Sequence, residues 1–443
     1  MSSPRLLAGC LPLLLACSPW TGADRPWRPV QPEIAGWIAD HAVPVVDADG
    51  RLAMAPVCDA VPPGAILGLG ESSHGVHELR AAQLAVVKCL AARPEPLTVL
   101  FETSYQWIAQ LDAYVRGGAR PELGSDVVAT RDLDELLEWV RAHNRDLPPA
   151  RQVRLGGLDV SCSIGCGEHV LAYVRAVDPP HAAQTEAALA LLRAPWADHQ
   201  ADDGARLRAA VAAERAHLLA HRDAYTRAYD PDAWGEAVHR LDLLLASIDR
   251  ALGSFPAPTD RDRVMADNVA WFRERARPGE TLALVAHSGH VAASTTLLPN
   301  GRRSPPSMGE HLRRRFGPAY VPMHMTFQTG SFAAYRAGRI GSEEPGFANP
   351  LGVYRVPAPP RGTFEATLAG PRDPYLLDLR RLPADSVVAR WFEWEQHVRN
   401  LGVAYRPAFA RWPLSSVVWS RLSPALAYDL VLHFPVVSPV VPL

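Results

Sequence analysis

The chain has 443 residues, 48% hydrophobic and 21% charged, an ordinary composition for one large globular domain or two. Its 45 basic and 47 acidic residues leave a formal net charge of -2, so no global basic field draws in nucleic acid, and none is expected as a partner. One lysine is present, Lys88, inside a helical pattern, which leaves Schiff-base chemistry a single candidate.

In chain order, Arg5 precedes an apolar run from Leu6 to Ala16. The run is too short to span a bilayer and has the shape of a secretory signal. It ends in Leu14-Leu15-Ala16-Cys17, which resembles a bacterial lipobox. Residues 1–17 are therefore expected to be a lipoprotein-type signal with Cys17 lipidated; a plain signal peptide cut elsewhere is the alternative. Residues 18–34 read as a tether and 35–443 as the domain. The domain is expected to be exported and held by its lipid at the periplasmic side of the cell envelope. Export permits disulfides. Cys58, Cys89, Cys162 and Cys166 remain beyond the signal, and the short 162/166 spacing suggests bridges Cys162–Cys166 and Cys58–Cys89. Buried free thiols are the alternative; the spacing lacks the paired CxxC knuckles of a structural zinc site.

Strands are expected at "AILGLG" (65–70), "LTVLFET" (97–103), "VRLGGLDV" (153–160), "TLALVAHS" (281–288) and "YVPMHMTF" (320–327). These runs are continuously apolar, as buried parallel strands tend to be. Helical patterns separate them, the first being "ELRAAQLAVVKCLA" after residue 77. The alternation implies an α/β fold, a mostly parallel central sheet flanked by helices. Residues 182–276 carry almost no strand signal and read as an inserted helical-bundle subdomain. Its last helix places Met265, Val269 and Phe272 on one stripe, with Thr259 or Asp260 as N-cap. From Arg361 onward, "GTFEATLAG", "YLLDLRRL" and "DLVLHFPVV" are strand-like pieces that complete the sheet.

The strand ends carry the chemistry. Glu71, Ser72 and His74 follow the first, Glu102 ends the second, Asp159 the third, and "AHSGH" with His287 and His290 the fourth. Ligands of open parallel sheets bind beyond the carboxyl ends of the strands. Each residue has a blander reading: Glu71 as a helix-dipole acid, Glu102 as an arginine's partner, Asp159 as a loop residue or cap, His287 as a core histidine and His77 as a helix surface residue. Four strands ending in this way outweigh those readings taken together. No G-x-S-x-G elbow is present, so a serine nucleophile is not expected. No phosphate loop or dinucleotide fingerprint appears, and no cofactor is expected. Two schemes fit. In one, a carboxylate-oriented imidazole takes a proton from attacking water. In the other, the histidines and glutamates hold a divalent metal that activates the water. A third reading is a non-catalytic ligand-binding lipoprotein.

"GLGESSHGVHELR" resembles the erythromycin esterase signature, and the likeness extends along the chain. "FETSYQWIAQLDAYVRGG", "GGLDV", "RDRVMADNVAWF", "LVAHSGHVA" and "MGEHLRRRFGPAYVPMHMTFQTGSF" are similar to further family motifs, in the same order, from about residue 35 to the end. The resemblance implies a metal-independent esterase of α/β-plus-bundle architecture whose best-known members open macrolide lactones by water attack. By position, His74 becomes the general base, with Glu71, Glu102 and His287 completing the catalytic set. His290 and Arg261 match supporting positions; Asp159, His77 and Ser72 are further supporting candidates. The implied partner is a small-molecule ester or lactone. Ser288 replaces the family's usual asparagine, Gln83 stands near a usual arginine, and the tail lacks the Glu-Arg and Ser-His-Tyr residues common there.

Overall fold

A computed structural model describes residues 32–124, 127–193, 201–251, 260–298, 300–337, 350–407 and 418–443. The expected signal with Cys17, the tether up to residue 31, and Thr259 lie outside the described residues. The described chain opens with the helix Pro32–His41, which buries Ile34, Trp37 and Ile38, so its first turn falls within the span read as tether.

Twelve strands follow in chain order: β1 (Val43–Pro44), β2 (Ile66–Glu71), β3 (Leu97–Ser104), β4 (Arg154–Asp159), β5 (Thr281–His287), β6 (Tyr320–Arg336), β7 (Leu351–Val356), β8 (Tyr375–Asp378), β9 (Gln396–Arg399), β10 (Ala404–Tyr405), β11 (Trp419–Leu422) and β12 (Leu430–Val437). Ten form one sheet of order β1-β8-β12-β6-β2-β5-β3-β4, with β7 and β10 added on β6; β9 and β11 pair separately. The run β12-β6-β2-β5-β3-β4 is parallel throughout. The five strands expected from continuous apolar runs are β2 to β6, and β6 runs nine residues further than expected, to Arg336.

Continuous apolarity is what a sheet covered on both faces requires. Leu67, Leu69, Val99, Ala283 and Val285 pack into the core on one side. Their neighbours Ile66, Leu100, Leu282 and Leu284 pack into the core on the other. Each such side chain, buried, contributes about 1.5–3 kcal/mol. The expected stripe of the helix Asp260–Glu274 meets the second face: Met265 and Val269 are fully buried there, with Phe272 packed against them. The same helix opens at Asp260, the other residue read as its cap.

The helical insert has its own core around Leu207, Val211, Leu241, Leu244 and Ile248. That core also takes in Val170 and Val174 of the helix Ile164–Val177, upstream of the span expected for the insert. Cys162 is bonded to Cys166 at the start of that helix, and Cys58 to Cys89, with Cα separations of 6.0 and 6.4 Å. In the tail, β8 and β12 join the sheet as expected. "GTFEATLAG" does not: Phe364–Leu368 is a helix, because the Thr363 hydroxyl accepts from Ala366 N–H and caps its first turn.

Candidate active site

Two glycines let the turn after β2 sit where it does. A Cβ at Gly70 would lie 2.7 Å from Met323 O and 3.1 Å from Ser288 Cα, so only glycine lets the turn after β5 lie across β2. A Cβ at Gly75 would lie 1.7 Å from Ala333 O, where the turn docks on β6 through Ala333 N–H donating to Gly75 O at 2.9 Å.

Glu71 closes β2 with His287 as its register partner on β5. Its carboxylate is 1% exposed and fully engaged. Oε1 lies 2.7 Å from His74 Nδ1 and 3.0 Å from Arg80 Nη2, and Oε2 accepts from Gln83 Nε2 at 3.0 Å. Burial pushes this carboxyl up, but the Arg80 guanidinium and the His74 bond together overcome it and hold Glu71 below the usual carboxylate range. An ionised Glu71 accepts, so the proton of His74 sits on Nδ1. His74 Nε2 then carries the lone pair, has no partner among the described residues, and belongs to a side chain that is 18% exposed.

The second half of the site is an ionic knot. The β3–β4 register shifts between Phe101 and Ser104, and Glu102 lies in that irregularity. Its Oε2 accepts from His287 N–H at 2.7 Å, while Oε1 takes Arg261 Nη2 at 2.8 Å and His290 Nε2 at 3.2 Å. Arg261 also forks onto Asp159 at 2.9 and 3.1 Å. His290 Nδ1 lies 2.7 Å from Asp262 Oδ1. Burial opposes the charge on Glu102, Arg261 and His290. Even so, His290 holds Glu102 well below its usual range, and Glu102 and Asp159 push Arg261 up. Burial would lower His290 too, but Glu102 and Asp262 raise it to about 10. Arg261 Nη1 lies 2.9 Å from His290 Nε2, the one contact that opposes this protonation. The two carboxylates, Glu102 and Asp262, outweigh that single guanidinium.

His287 has the opposite state three residues away. Its Nε2 lies 3.1 Å from Leu401 O, and its Nδ1 accepts from Gly289 N–H at 3.2 Å. Nε2 therefore bears the proton and both nitrogens are occupied. Burial, with His74 adding repulsion, pushes it down to about 3, so it is neutral. Its ring centroid is 5.1 Å from that of His74.

Glu71, His74, Glu102, Asp159, Arg261, His287 and His290 are thus brought together. Ser72 supports the turn through its backbone, donating to Met325 O at 3.0 Å and accepting from Leu401 N–H at 2.8 Å. His77 is not brought in: its ring is 2.5 Å from Asp132, its side chain is 49% exposed, and its N–H bonds Ser438 O. It is the first residue of the helix His77–Ala91. Sequence reasoning missed Arg80 and Asp262. Both stand within motifs already singled out, three residues before Gln83 and one after Arg261, where a helix charge reads as solvent-facing. Arg80 binds one oxygen of Glu71 and Gln83, standing near the family's usual arginine, binds the other. Among the described residues, no group of three or more His, Cys, Asp and Glu side chains is arranged to hold a metal ion.

A parallel sheet whose carboxyl edge gathers an acid on a histidine with one open nitrogen, beside a buried ionic knot, is the layout of an α/β protein with a polar site at the strand ends. The chain belongs to the erythromycin esterase family, whose model matches residues 97–437, and family membership makes it a hydrolase acting on a small-molecule substrate. Three solved structures share the fold. A Bacillus cereus protein matches with a TM-score of 0.77 at 18% identity over 92% of this chain and 98% of that one. A succinoglycan biosynthesis protein matches at 0.74 and 19% over 93% and 98%. A histidine mutant of the erythromycin esterase EreC, in its open conformation, matches at 0.66 and 17% over 90% and 98%.

Proposed function

We propose that the protein hydrolyses carboxylic esters or lactones, macrolide-like rings among them, with His74 as general base and no serine nucleophile. One observation supports this above the others: of the three imidazoles at the sheet edge, His74 alone keeps a nitrogen without a partner among the described residues, and a buried, ionised Glu71 fixes that nitrogen as the basic one. His74 Nε2 takes a proton from water as its oxygen bonds to the carbonyl carbon. Arg261 and His290, each with about a fifth of its side chain exposed, supply positive charge for the oxyanion that forms. Collapse breaks the bond from carbon to the alkoxy oxygen, and the proton returns from His74 to that leaving oxygen. The products are a carboxylic acid and an alcohol, joined in one chain when the substrate is a lactone. We further propose that the protein works in the cell envelope, exported and lipidated at Cys17.

The test assays the purified chain against simple esters and macrolactones, with and without chelator, following acid release. We expect hydrolysis indifferent to chelator, and a fall of about 10²–10⁴-fold in His74→Ala with an unchanged circular dichroism spectrum. Full activity in the variant overturns His74 as base. Activity lost to chelator and restored by a divalent ion replaces this scheme with the metal-dependent one.

A further inference from the structure

A second polar network lies beneath the site, deep in the fold. Glu365 and His324 are 0% exposed, and Ser288 and Arg399 are each 1% exposed. Nothing in the reaction above uses these four side chains, although buried charge is costly and rarely kept without a task.

Glu365 is the hub. Its Oε1 accepts from Arg399 N–H at 2.9 Å and Thr326 Oγ at 3.0 Å, and stands 3.5 Å from His324 Nε2. Burial pushes the carboxyl up, but the His324 contact and the Arg399 guanidinium bring it below the usual range. That guanidinium packs between the rings of Phe327 and Trp419, at 4.8 and 5.0 Å from their centroids, and donates to Gln328 O at 3.1 Å. An ionised Glu365 takes the Nε2 proton of His324, which leaves Nδ1 to accept the Ser288 hydroxyl at 2.8 Å. Tyr428 stacks on His324 with centroids 4.7 Å apart and donates to Ser288 O at 3.2 Å, so Ser288 is gripped from two directions.

Two arms leave this hub and end on the same residue. One runs Glu365–His324–Ser288, and Ser288 directly follows His287. The other runs from Glu365 to the Arg399 N–H; two residues on, the Leu401 carbonyl takes the Nε2 proton of His287 at 3.1 Å. We propose that Glu365, His324 and Ser288 are positioning residues that fix His287 in its Nε2–H tautomer and hold its ring against His74. The inference rests on the hydrolytic reading for its kinetic consequence, but the geometric claim stands apart from it. A neutral ring held this way forms a fixed wall beside the base. Letting it turn would bring a second basic nitrogen, or a second donor, to the water that His74 must orient.

The test reads the tautomer directly. Protein labelled with 15N-histidine gives long-range 15N–1H spectra in which each ring's protonated and unprotonated nitrogens are told apart, and His287 is assigned by its loss in His287→Asn. In the parent, His287 should show a protonated Nε2 and an unprotonated Nδ1. Ser288→Ala, His324→Gln and Glu365→Gln should each move it toward mixed tautomers, whereas Ser288→Thr, which keeps the hydroxyl, should restore the parent pattern. Thr326→Val removes a bond from Glu365 outside both arms and should leave His287 unchanged. On an ester substrate the same three variants should lower kcat by about tenfold or more with little change in KM. Unmoved His287 signals in Ser288→Ala, the variant least disturbing to the fold, overturn the proposal, as does an equal shift in Thr326→Val. Moved signals in a protein that hydrolyses no ester leave the positioning role standing and sink the hydrolytic reading instead.

Discussion

Two clusters of three histidines stand in this molecule, and their chemistry differs. In the insert, His181 and His217 stack at 3.6 Å, and His221 lies 4.1 Å beyond His217. Their polar contacts are Glu214 for His181, the Tyr225 hydroxyl at 2.7 Å and Asp178 at 3.6 Å for His217, and the His217 carbonyl for His221. At the sheet edge no two rings stack, and each imidazole has its own partners. Glu71 orients His74, two carboxylates hold a proton on His290, and two backbone groups hold His287 neutral. Histidines in company do not make a site. What makes one is a fold that forces neighbouring imidazoles into different proton states, and strand ends do this because each brings its own acid or backbone group.

The largest effect that would break this contrast is expected from Arg261→Met. The knot loses the guanidinium that Glu102 and Asp159 share; Glu102 keeps His290 and the His287 N–H, and Asp159 keeps the Val160 N–H with Arg250 at 3.5 Å, but both buried carboxylates lose their closest cation. We expect a loss of about 3–5 kcal/mol in denaturant unfolding and loss of ester hydrolysis. The matching change in the insert, Glu214→Gln, should leave turnover as it was.

Acid separates the two clusters by a smaller margin. His287, together with His239 and His433, is pushed by burial from 6.5 down to about 3. The unfolded chain then binds more protons, so this stability is fully present above pH 6.5 and is lost as pH falls toward 3. His217 is lowered too, by burial first and by the charge of His181 next, but nearly a quarter of its side chain is exposed. In thermal melts at stepped pH, His287→Phe should flatten the acid limb more than His217→Phe. Equal flattening would mean that the stacked pair is as strongly constrained as a buried ring. Alkali works on His290. With its proton held to about 10, its contribution is present below pH 6.5 and is lost as pH rises through about 10, taking the site's second cation with it. Hydrolysis corrected for spontaneous alkaline cleavage should fall there.

How much of this was legible follows from what each residue's surroundings say locally. The parallel strands were readable because a sheet buried on both faces needs unbroken apolar runs, and the acids and histidines were readable because they interrupt those runs at their ends. The order of strands was not, since β12 enters between β6 and β8 from the far end of the chain. Asp262 and Arg80 were hidden because a charge on a helix usually faces water. His324 was hidden inside "YVPMHMTF", and Glu365 inside a piece that read as strand. A buried charge is explained only by partners distant in sequence, and Glu365 finds its own 34 to 41 residues away. Ser288, read as a departure from the family's usual asparagine, is 1% exposed and bonded inward to His324.

The smallest effect is expected at His77, and it tests where the site stops. In sequence His77 stands with Glu71 and His74, and spacing alone could not exclude it. Its ring instead closes on Asp132, in the helix Arg131–Asn144, from a side chain half in water. An exposed pair of this kind contributes about 0–1 kcal/mol. His77→Ala should therefore leave kcat and KM within about twofold of the parent and lower the melting temperature slightly. A large loss of turnover would extend the site past the first turn of the helix after β2. The sheet edge would then no longer mark the boundary between the histidines that do chemistry and those that only pack.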